Sequence, residues 1–107
     1  MSNRILITGG ASGLGLAIAR QYLHKGLDVW ICDINTEYME SARKALSAYS
    51  AQLTFSVCDI TDDASVEQLC ESVKQQWGSL DILVNNAGVA TGGALEYEDL
   101  DTWQWVL

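Results

Sequence analysis

The sequence predicts an α/β fold in which helices cover both faces of a parallel sheet. Short apolar runs alternate with stretches of helical periodicity along all 107 residues, without proline or a low-complexity segment. The four apolar runs lead into glycine, aspartate or asparagine. Buried parallel strands have continuous apolar sequences, and consecutive parallel strands need a crossover connection. These observations predict one doubly wound domain over residues 1–107.

Composition limits the classes of function. Hydrophobic residues make up 49% and charged residues 19% of the chain, as in globular proteins. The net charge of −8, with 6 scattered basic residues, disfavours partners such as nucleic acid or an anionic membrane. Cys32, Cys58 and Cys70 lack metal-ligand or redox spacing, so we predict buried thiols and no metal. Because Met1–Arg4 leads directly into the first apolar run, we expect no signal peptide and a cytoplasmic location.

The first apolar run, Ile5–Ile7, is predicted to be a strand that enters a helix through the glycine turn Thr8–Gly15. Such a turn leaves backbone N–H groups unpaired at the positive end of the helix dipole, which makes a phosphate site. Gly9 allows a tight turn, Gly13 lets a pyrophosphate approach, and Gly15 lets the helix pack closely. The glycine spacing differs from the usual dinucleotide fingerprint, so a merely flexible turn is an alternative.

The helix after the turn is predicted to pack one apolar face on the sheet and to end at Gly26. His24, the only histidine, falls in the last turn of this helix. No Ser, Cys or Asp lies beside it in the sequence, so we predict a solvated surface residue. The predicted sheet-facing side chains are Leu14, Ile18 and Tyr22, with Ala17 and Leu23 beside them.

Asp33 ends the second apolar run, Val29–Cys32, and lies 18 residues after Gly15. In nucleotide-binding units a carboxylate about 20 residues beyond the glycines accepts hydrogen bonds from the adenosine ribose. The alternative is that Asp33 caps the turn before the next helix. No basic residue follows within 34–36, so a 2′-phosphate would meet an uncompensated carboxylate, and NAD is favoured over NADP.

The remaining elements follow the same alternation, and they predict the topology of the sheet. Right-handed crossovers with a change of direction after the third strand give the strand order 3-2-1-4. The first two helices then cover one face and the third helix covers the other, with all strand carboxyl ends on one rim. The predicted elements are a helix over Thr36–Tyr49, a strand over Leu53–Cys58 that leads into Asp59 and Ile60, a helix from Asp62 to Trp77, and a strand over Asp81–Val84 that leads into Asn85–Gly88.

Two motifs give the chain a resemblance to the short-chain dehydrogenases/reductases, which have a Rossmann-type sheet. The turn has that family's spacing of Thr-Gly, three residues, Gly, one residue and Gly, and Asn85–Gly88 has its fourth-strand sequence Asn-Asn-Ala-Gly. The resemblance covers the whole chain. It implies pyrophosphate contacts at Gly9, Ser12, Gly13, Leu14 and Gly15, a ribose contact at Asp33, adenine contacts at Asp59 and Ile60, and nicotinamide-side ribose contacts at Asn86, Ala87 and Gly88.

The resemblance also implies an activity. Such enzymes transfer hydride between NAD and an alcohol or carbonyl substrate, with a tyrosine as general acid/base and a nearby lysine that lowers its pKa. The family's Tyr-x-x-x-Lys motif does not occur here, because the residues four positions after the four tyrosines are Gly26, Ala42, Leu53 and Asp101. We therefore predict an oxidoreductase's cofactor-binding half that has no catalytic residues. The alternative is a nucleotide-binding or interaction module without turnover.

The last residues are predicted to begin a further helix, from Glu98 to Leu107, after which the fold is truncated. Leu100, Trp103 and Leu107 form its apolar stripe, and Trp105 points away from that stripe. In the family this helix covers the sheet and forms a dimer interface, so the intact protein is expected to be a homo-oligomer. In this chain alone the fourth strand is expected to be an unpaired edge, with Ile82 and Val84 exposed unless another chain covers them.

Overall fold

The computed structural model describes residues 3–86 and the backbone of residues 105–106, and it confirms the predicted alternation of strands and helices. A 3₁₀ segment takes up residues that the sequence assigned to the second helix, which therefore ends earlier than Tyr49. Ser47 and Ser50 favour turns over helix and lie at this break. The elements are β1 (Arg4–Thr8), α1 (Gly13–His24), β2 (Asp28–Asp33), α2 (Thr36–Ala45), the 3₁₀ segment (Ser47–Gln52), β3 (Leu53–Val57), α3 (Asp63–Gln76), β4 (Ile82–Asn85) and β5 (Trp105–Val106).

The strands form one sheet in the order β3-β2-β1-β4-β5, and every described pair is parallel. The predicted order 3-2-1-4 is therefore confirmed. In the register of the sheet, Thr8 at the end of β1 lies opposite Cys32 in β2 and Asn85 in β4. The carboxyl ends of these strands consequently meet at one rim.

The prediction of a helix through Leu107 is wrong at Trp105–Val106, which form β5. Leu83 pairs with Trp105 and Val84 with Val106. A strand edge presents unpaired N–H and C=O groups, and Trp and Val have high strand propensity, so the two residues extend the sheet. β4 is thus not an unpaired edge, and Val84 is only 1% exposed. The apolar stripe of Leu100, Trp103 and Leu107 lies outside the described residues.

The two faces of the sheet carry separate cores, because successive residues of a strand point to opposite faces. The helices are distributed as predicted, with α1 and α2 on one face and α3 on the other. All three cysteines are buried, as predicted, and none of them forms a disulfide; they belong to the core on the α3 face. The face of α1 and α2 buries Ile5, Ile7, Val29, Ile31, Ala19, Leu23, Met39, Ala42 and Leu46, and the face of α3 buries Leu6, Trp30, Leu83, Val66, Leu69 and Val73.

The buried stripe of α1 is shifted by one residue along the helix from the predicted stripe. Gly15, Ala19 and Leu23 are buried, whereas Leu14 is 68% exposed and Ala17 is also exposed. The sequence pattern assigned the large apolar side chains of α1 to its buried face. In the structure, small residues on the buried stripe let α1 approach the sheet closely. Ile18 and Tyr22 are consequently displaced to the flanks, where they are partly buried.

Candidate functional site

The glycine turn makes the sharp change of direction between β1 and α1. Gly9 has a φ of +65° and Gly13 a φ of +55°, both in the left-handed region that disfavours residues with a side chain. The N–H of Gly9 donates to the carbonyl oxygen of Cys32 at 2.8 Å, which holds the turn over the end of β2. The turn is therefore part of the rim and not a flexible connection.

Gly15 lies under the turn, where no side chain fits. A Cβ atom at this position would collide with the carbonyl oxygen of Gly9, and it would lie 2.6 Å from Nδ2 of Asn86 and 2.9 Å from Cα of Gly10. Above Gly13, by contrast, a Cβ would meet nothing within 4 Å. The first turn of α1 is thus pressed against the strand ends on one side and is open on the other.

The start of α1 has features that favour the binding of an anion. Its N-cap residue, Ser12, makes no side-chain capping hydrogen bond, and the first turn contains no acidic residue. The N-cap of α2 differs, because Oδ1 of Asn35 accepts from the N–H of Tyr38 at 2.9 Å and Glu37 lies in the first turn. The unsatisfied N–H groups and the positive end of the α1 dipole therefore point to the open side of Gly13.

A cleft of about 820 Å³ lies along the carboxyl ends of the strands, directly above this helix start. Gly15 contributes to the site from beneath and does not line the cleft, and Ala87 and Gly88 lie outside the described residues. Among the described residues, the cleft brings together eight of the predicted site residues: Gly9, Ser12, Gly13, Leu14, Asp33, Asp59, Ile60 and Asn86.

Asp33 combines the two alternatives considered for it. Its Oδ1 accepts from the N–H of Asn35 at 3.0 Å, so the carboxylate does cap the turn before α2. Its Oδ2 accepts from the N–H of Ala11 at 3.2 Å, which ties the glycine turn to the end of β2. A carboxylate oxygen has a second lone pair, and Asp33 also lines the cleft, so it retains acceptor capacity there.

Asp59 lines the cleft from the segment after β3. Its Oδ1 accepts from the hydroxyl of Thr61 at 2.6 Å and from the N–H of Thr61 at 3.0 Å. These two hydrogen bonds hold the pKa of the Asp59 carboxyl below its ordinary value. Asp59 therefore contributes negative charge to the cleft near neutral pH, and no lysine or arginine is among the described lining residues of the cleft.

Asn85 and Asn86 connect the end of β4 to the end of β1. The hydroxyl of Thr8 lies 3.1 Å from Oδ1 of Asn85, and Nδ2 of Asn86 donates to the carbonyl oxygen of Gly9 at 3.1 Å. Asn86 lines the cleft, whereas Asn85 does not. The side chain of Asn86 thereby closes the cleft beside the glycine turn.

Sequence reasoning missed part of the cleft wall, notably Tyr38 and two of the cysteines. Three of the large exposed apolar side chains of the described residues, Leu14, Ile34 and Tyr38, surround the cleft. Tyr38 is in the first turn of α2, next to the end of β2, and this placement was the available signal for it. The lining residues that were not predicted are Cys32, Ile34, Asn35, Tyr38, Cys58 and Thr61.

His24 is exposed at the far end of α1, where its Nδ1 lies 3.4 Å from the hydroxyl of Tyr49. It is a surface residue, as predicted. Residues 3–86 contain no group of three His, Cys, Asp or Glu side chains arranged to hold a metal ion. Over the same residues, none of the helices has the length and apolar character needed to cross a bilayer.

A family model described as short chain dehydrogenase matches residues 3–107. The chain belongs to this family. Among the curated short-chain dehydrogenases, "Short chain dehydrogenase/reductase dpchG" of Colletotrichum higginsianum is 42% identical over 106 residues, which cover 95% of this chain and 38% of the relative. D-threitol dehydrogenase of Mycolicibacterium smegmatis is 38% identical over 102 residues, which cover 95% of this chain and 39% of the relative. The chain thus spans about two fifths of the length of these relatives.

Solved structures of oxidoreductases match the fold of this chain. Menthone neomenthol reductase from Mentha piperita matches with a TM-score of 0.77 and 33% identity, over 83% of this chain and 32% of that protein. The F189W actinorhodin polyketide ketoreductase with NADPH gives a TM-score of 0.75 and 36% identity, over 81% and 33% of the two chains. NAD⁺-bound xylitol dehydrogenase gives 0.74 and 31%, over 80% and 33%.

Proposed function

We propose that this chain is the NAD-binding half of an oxidoreductase that transfers hydride between the nicotinamide and an alcohol or carbonyl substrate. The observation that carries the proposal is the start of α1, which is uncapped by side chains, free of acidic residues in its first turn and open above Gly13. Membership of the short-chain dehydrogenase family supports the oxidoreductase class. When bound, the nicotinamide cofactor supplies the hydride acceptor or donor.

The residues of the turn suit a pyrophosphate that is held without basic side chains. Backbone N–H groups at a helix start bind phosphate through hydrogen bonds and the helix dipole. We assign this role to Gly9, Ser12, Gly13 and Leu14, and Gly15 acts from below by allowing the helix start to lie against Gly9. The chain's net charge of −8 makes this backbone site the chief attraction for an anion.

The charges of the cleft favour NAD over NADP. Ribose hydroxyls can donate hydrogen bonds to the free acceptor sites of Asp33, whereas a 2′-phosphate adds negative charge beside Asp33 and Asp59. No basic side chain among the described lining residues offsets that repulsion. Related structures bear the names of both cofactors, NADPH and NAD⁺, so the preference assigned here depends on Asp33.

The other predicted contacts complete the proposal. Asp59 and Ile60 are placed at the adenine, and Asn86, Ala87 and Gly88 at the nicotinamide-side ribose. The hydrogen bond from Asn86 to Gly9 supports this placement, because it fixes the Asn86 side chain beside the pyrophosphate turn. We further propose that the intact protein is a cytoplasmic homo-oligomer that acts on a small alcohol or carbonyl compound.

Calorimetric titration with NAD and NADP tests the proposal. We expect NAD to bind more tightly, and we expect Asp33→Asn to reduce or reverse the preference. Loss of one charge-assisted hydrogen bond, worth about 1.5 to 3 kcal/mol, weakens NAD binding about 10- to 100-fold. Asparagine retains one acceptor oxygen for the turn, which makes it a milder change than alanine.

Glu71→Gln is the matched control, because it removes one negative charge from the exposed surface of α3, away from the cleft. It should leave both affinities unchanged. Equal or tighter binding of NADP by the unaltered protein would overturn the assignment of Asp33. An unchanged cofactor ratio in Asp33→Asn would do the same.

A second candidate function is a nucleotide-binding module without turnover. It agrees, as the first candidate does, with the observation that none of the four tyrosines is followed four positions later by lysine. Both candidates predict NAD binding by this chain. They differ in whether the intact protein converts a substrate, because the second candidate predicts no turnover.

A further inference from the structure

Cys32 and Cys58 lie together in the wall of the cleft, although 26 positions separate them in the sequence. Sγ of Cys32 lies 3.9 Å from the carbonyl oxygen of Cys58, and the N–H of Cys58 donates to the carbonyl oxygen of Asp33 at 3.1 Å. The backbone is thereby fixed on both sides of the pair. The Cys32 side chain therefore reaches the backbone of Cys58, and the two thiols lie beside each other in the same core.

The two thiols differ in acidity because of this arrangement. The neighbouring Cys32 thiol and the hydroxyl of Ser65, which donates to Sγ of Cys58 at 3.6 Å, lower the pKa of Cys58 to about 7. Its contact with Cys58 and its burial raise the pKa of Cys32. Burial and the carboxylates of Asp59 and Asp62 oppose ionisation of Cys58 without cancelling this lowering of its pKa. Near neutral pH the pair therefore combines a partly ionised thiolate with a protonated thiol.

We propose that Cys58 and Cys32 form a peroxide-sensitive thiol pair that closes into an intrachain disulfide in the wall of the nucleotide cleft. The Cys58 thiolate attacks one oxygen of hydrogen peroxide, the O–O bond breaks, and hydroxide leaves and takes up a proton to become water. The resulting sulfenic acid is attacked by the sulfur of Cys32. An S–S bond forms, the S–O bond breaks, and the thiol proton leaves with the hydroxyl as a second water.

Closure of the disulfide changes the cleft because each cysteine is followed by an aspartate that lines it. Bonded sulfur atoms lie about 2.05 Å apart, much closer than two hydrogen-bonded thiols, so the end of β2 and the segment after β3 have to move together. Asp33 and Asp59 move with them. Insofar as these residues bind the adenosine end, which rests on the proposed function, oxidation lowers the affinity for NAD.

Peptide mapping tests the pair. The folded chain is treated with hydrogen peroxide, its free thiols are alkylated, and it is digested without reduction. Trypsin alone is unsuitable because no Lys or Arg lies between Lys44 and Lys74, so Cys58 and Cys70 stay in one peptide. A protease that cleaves beside aspartate separates them at residues 59, 62 and 63. We expect a cross-linked peptide that joins Cys32 to Cys58 and has lost the mass of two hydrogen atoms.

Cys70→Ala is the matched control, since Cys70 is buried in the same core but does not line the cleft. It should form the same cross-link, and Cys32→Ala should instead retain sulfenic acid at Cys58. The proposal is overturned if oxidation joins either cysteine to Cys70 or to another chain. It is also overturned if Cys32 and Cys58 stay reduced or are oxidised separately in the unaltered protein. This test uses the unaltered protein, so it does not depend on whether a variant folds.

Titration of NAD into the reduced and the oxidised chain tests the consequence for binding. We expect oxidation to weaken binding by about tenfold, the effect of one lost charge-assisted hydrogen bond, and dithiothreitol to restore it. If the disulfide is mapped but the affinity for NAD is unchanged, the claim that the disulfide weakens NAD binding is overturned. A reduced chain that binds no NAD would refute the proposed function instead, and the peptide map would still decide the thiol pair.

Discussion

Replacement of Gly15 by alanine tests whether the site requires the close approach of α1 to the glycine turn. The added Cβ would lie 2.6 Å from Nδ2 of Asn86 and 2.9 Å from Cα of Gly10, which is 0.8 and 0.5 Å short of the 3.4 Å of ordinary contact. It would also collide with the carbonyl oxygen of Gly9. Two of these three neighbours are backbone atoms, so the start of α1 has to retreat from the turn.

The expected cost follows from two opposing effects. Overpacking costs about 1 to 3 kcal/mol, and the limited freedom of the Gly9 and Gly10 backbone favours the upper end of that range. The helix preference of alanine over glycine stabilises the variant by about 1 kcal/mol. The net loss of about 2 kcal/mol in the free energy of unfolding corresponds to a Tm lower by about 8 to 16 °C for a domain of this size.

Thermal unfolding followed by far-UV circular dichroism measures this shift, and NAD titration measures the effect on the cleft. Ala17→Gly, on the exposed face of α1, calibrates the helix preference and should cost about 1 kcal/mol. Adding Asn86→Ala to Gly15→Ala should recover little, because the collision with Gly9 remains. A Gly15→Ala protein that melts at or above the Tm of the unaltered chain and binds NAD normally would refute the reasoning.

Three further predictions concern binding, acidity and turnover. Gly13→Val should abolish NAD binding, because the side chain projects into the open side of the turn and a φ of +55° disfavours β-branched residues; calorimetry showing normal NAD affinity in the folded variant would contradict this. Ser65→Ala should move the midpoint of Cys58 alkylation by iodoacetamide above about pH 7. The thiolate forms above the pKa of Cys58, and loss of the Ser65 donor raises that pKa. An unchanged or lower midpoint would refute the role of Ser65. The 107-residue chain alone should reduce no NAD with any alcohol, because it lacks the Tyr-x-x-x-Lys pair, and detectable NADH in an absorbance assay would disprove this.

The sequence alone predicted the parallel sheet, its strand order, the distribution of the three helices and the rim at which the candidate site lies. These features depend on local patterns: an apolar run such as Val29–Cys32 is typical of a strand buried on both faces, and right-handed crossovers then restrict the topology. Eight of the predicted site residues line the cleft because they lie at or shortly after the carboxyl end of a strand, or at the start of α1. Their contacts with a cofactor stay a prediction.

Only the tertiary structure decided the features that depend on distances between separate segments. The buried stripe of α1 runs through Gly15 and Ala19, since the allowed distance between helix and turn, not the size of apolar side chains, sets the orientation of the helix. Trp105–Val106 form a strand because an open edge of β4 is available to them. The proximity of Cys32 and Cys58 follows from the register of β2 and β3, in which Cys32 lies opposite Ser56, and the segment around either cysteine does not by itself specify this pairing.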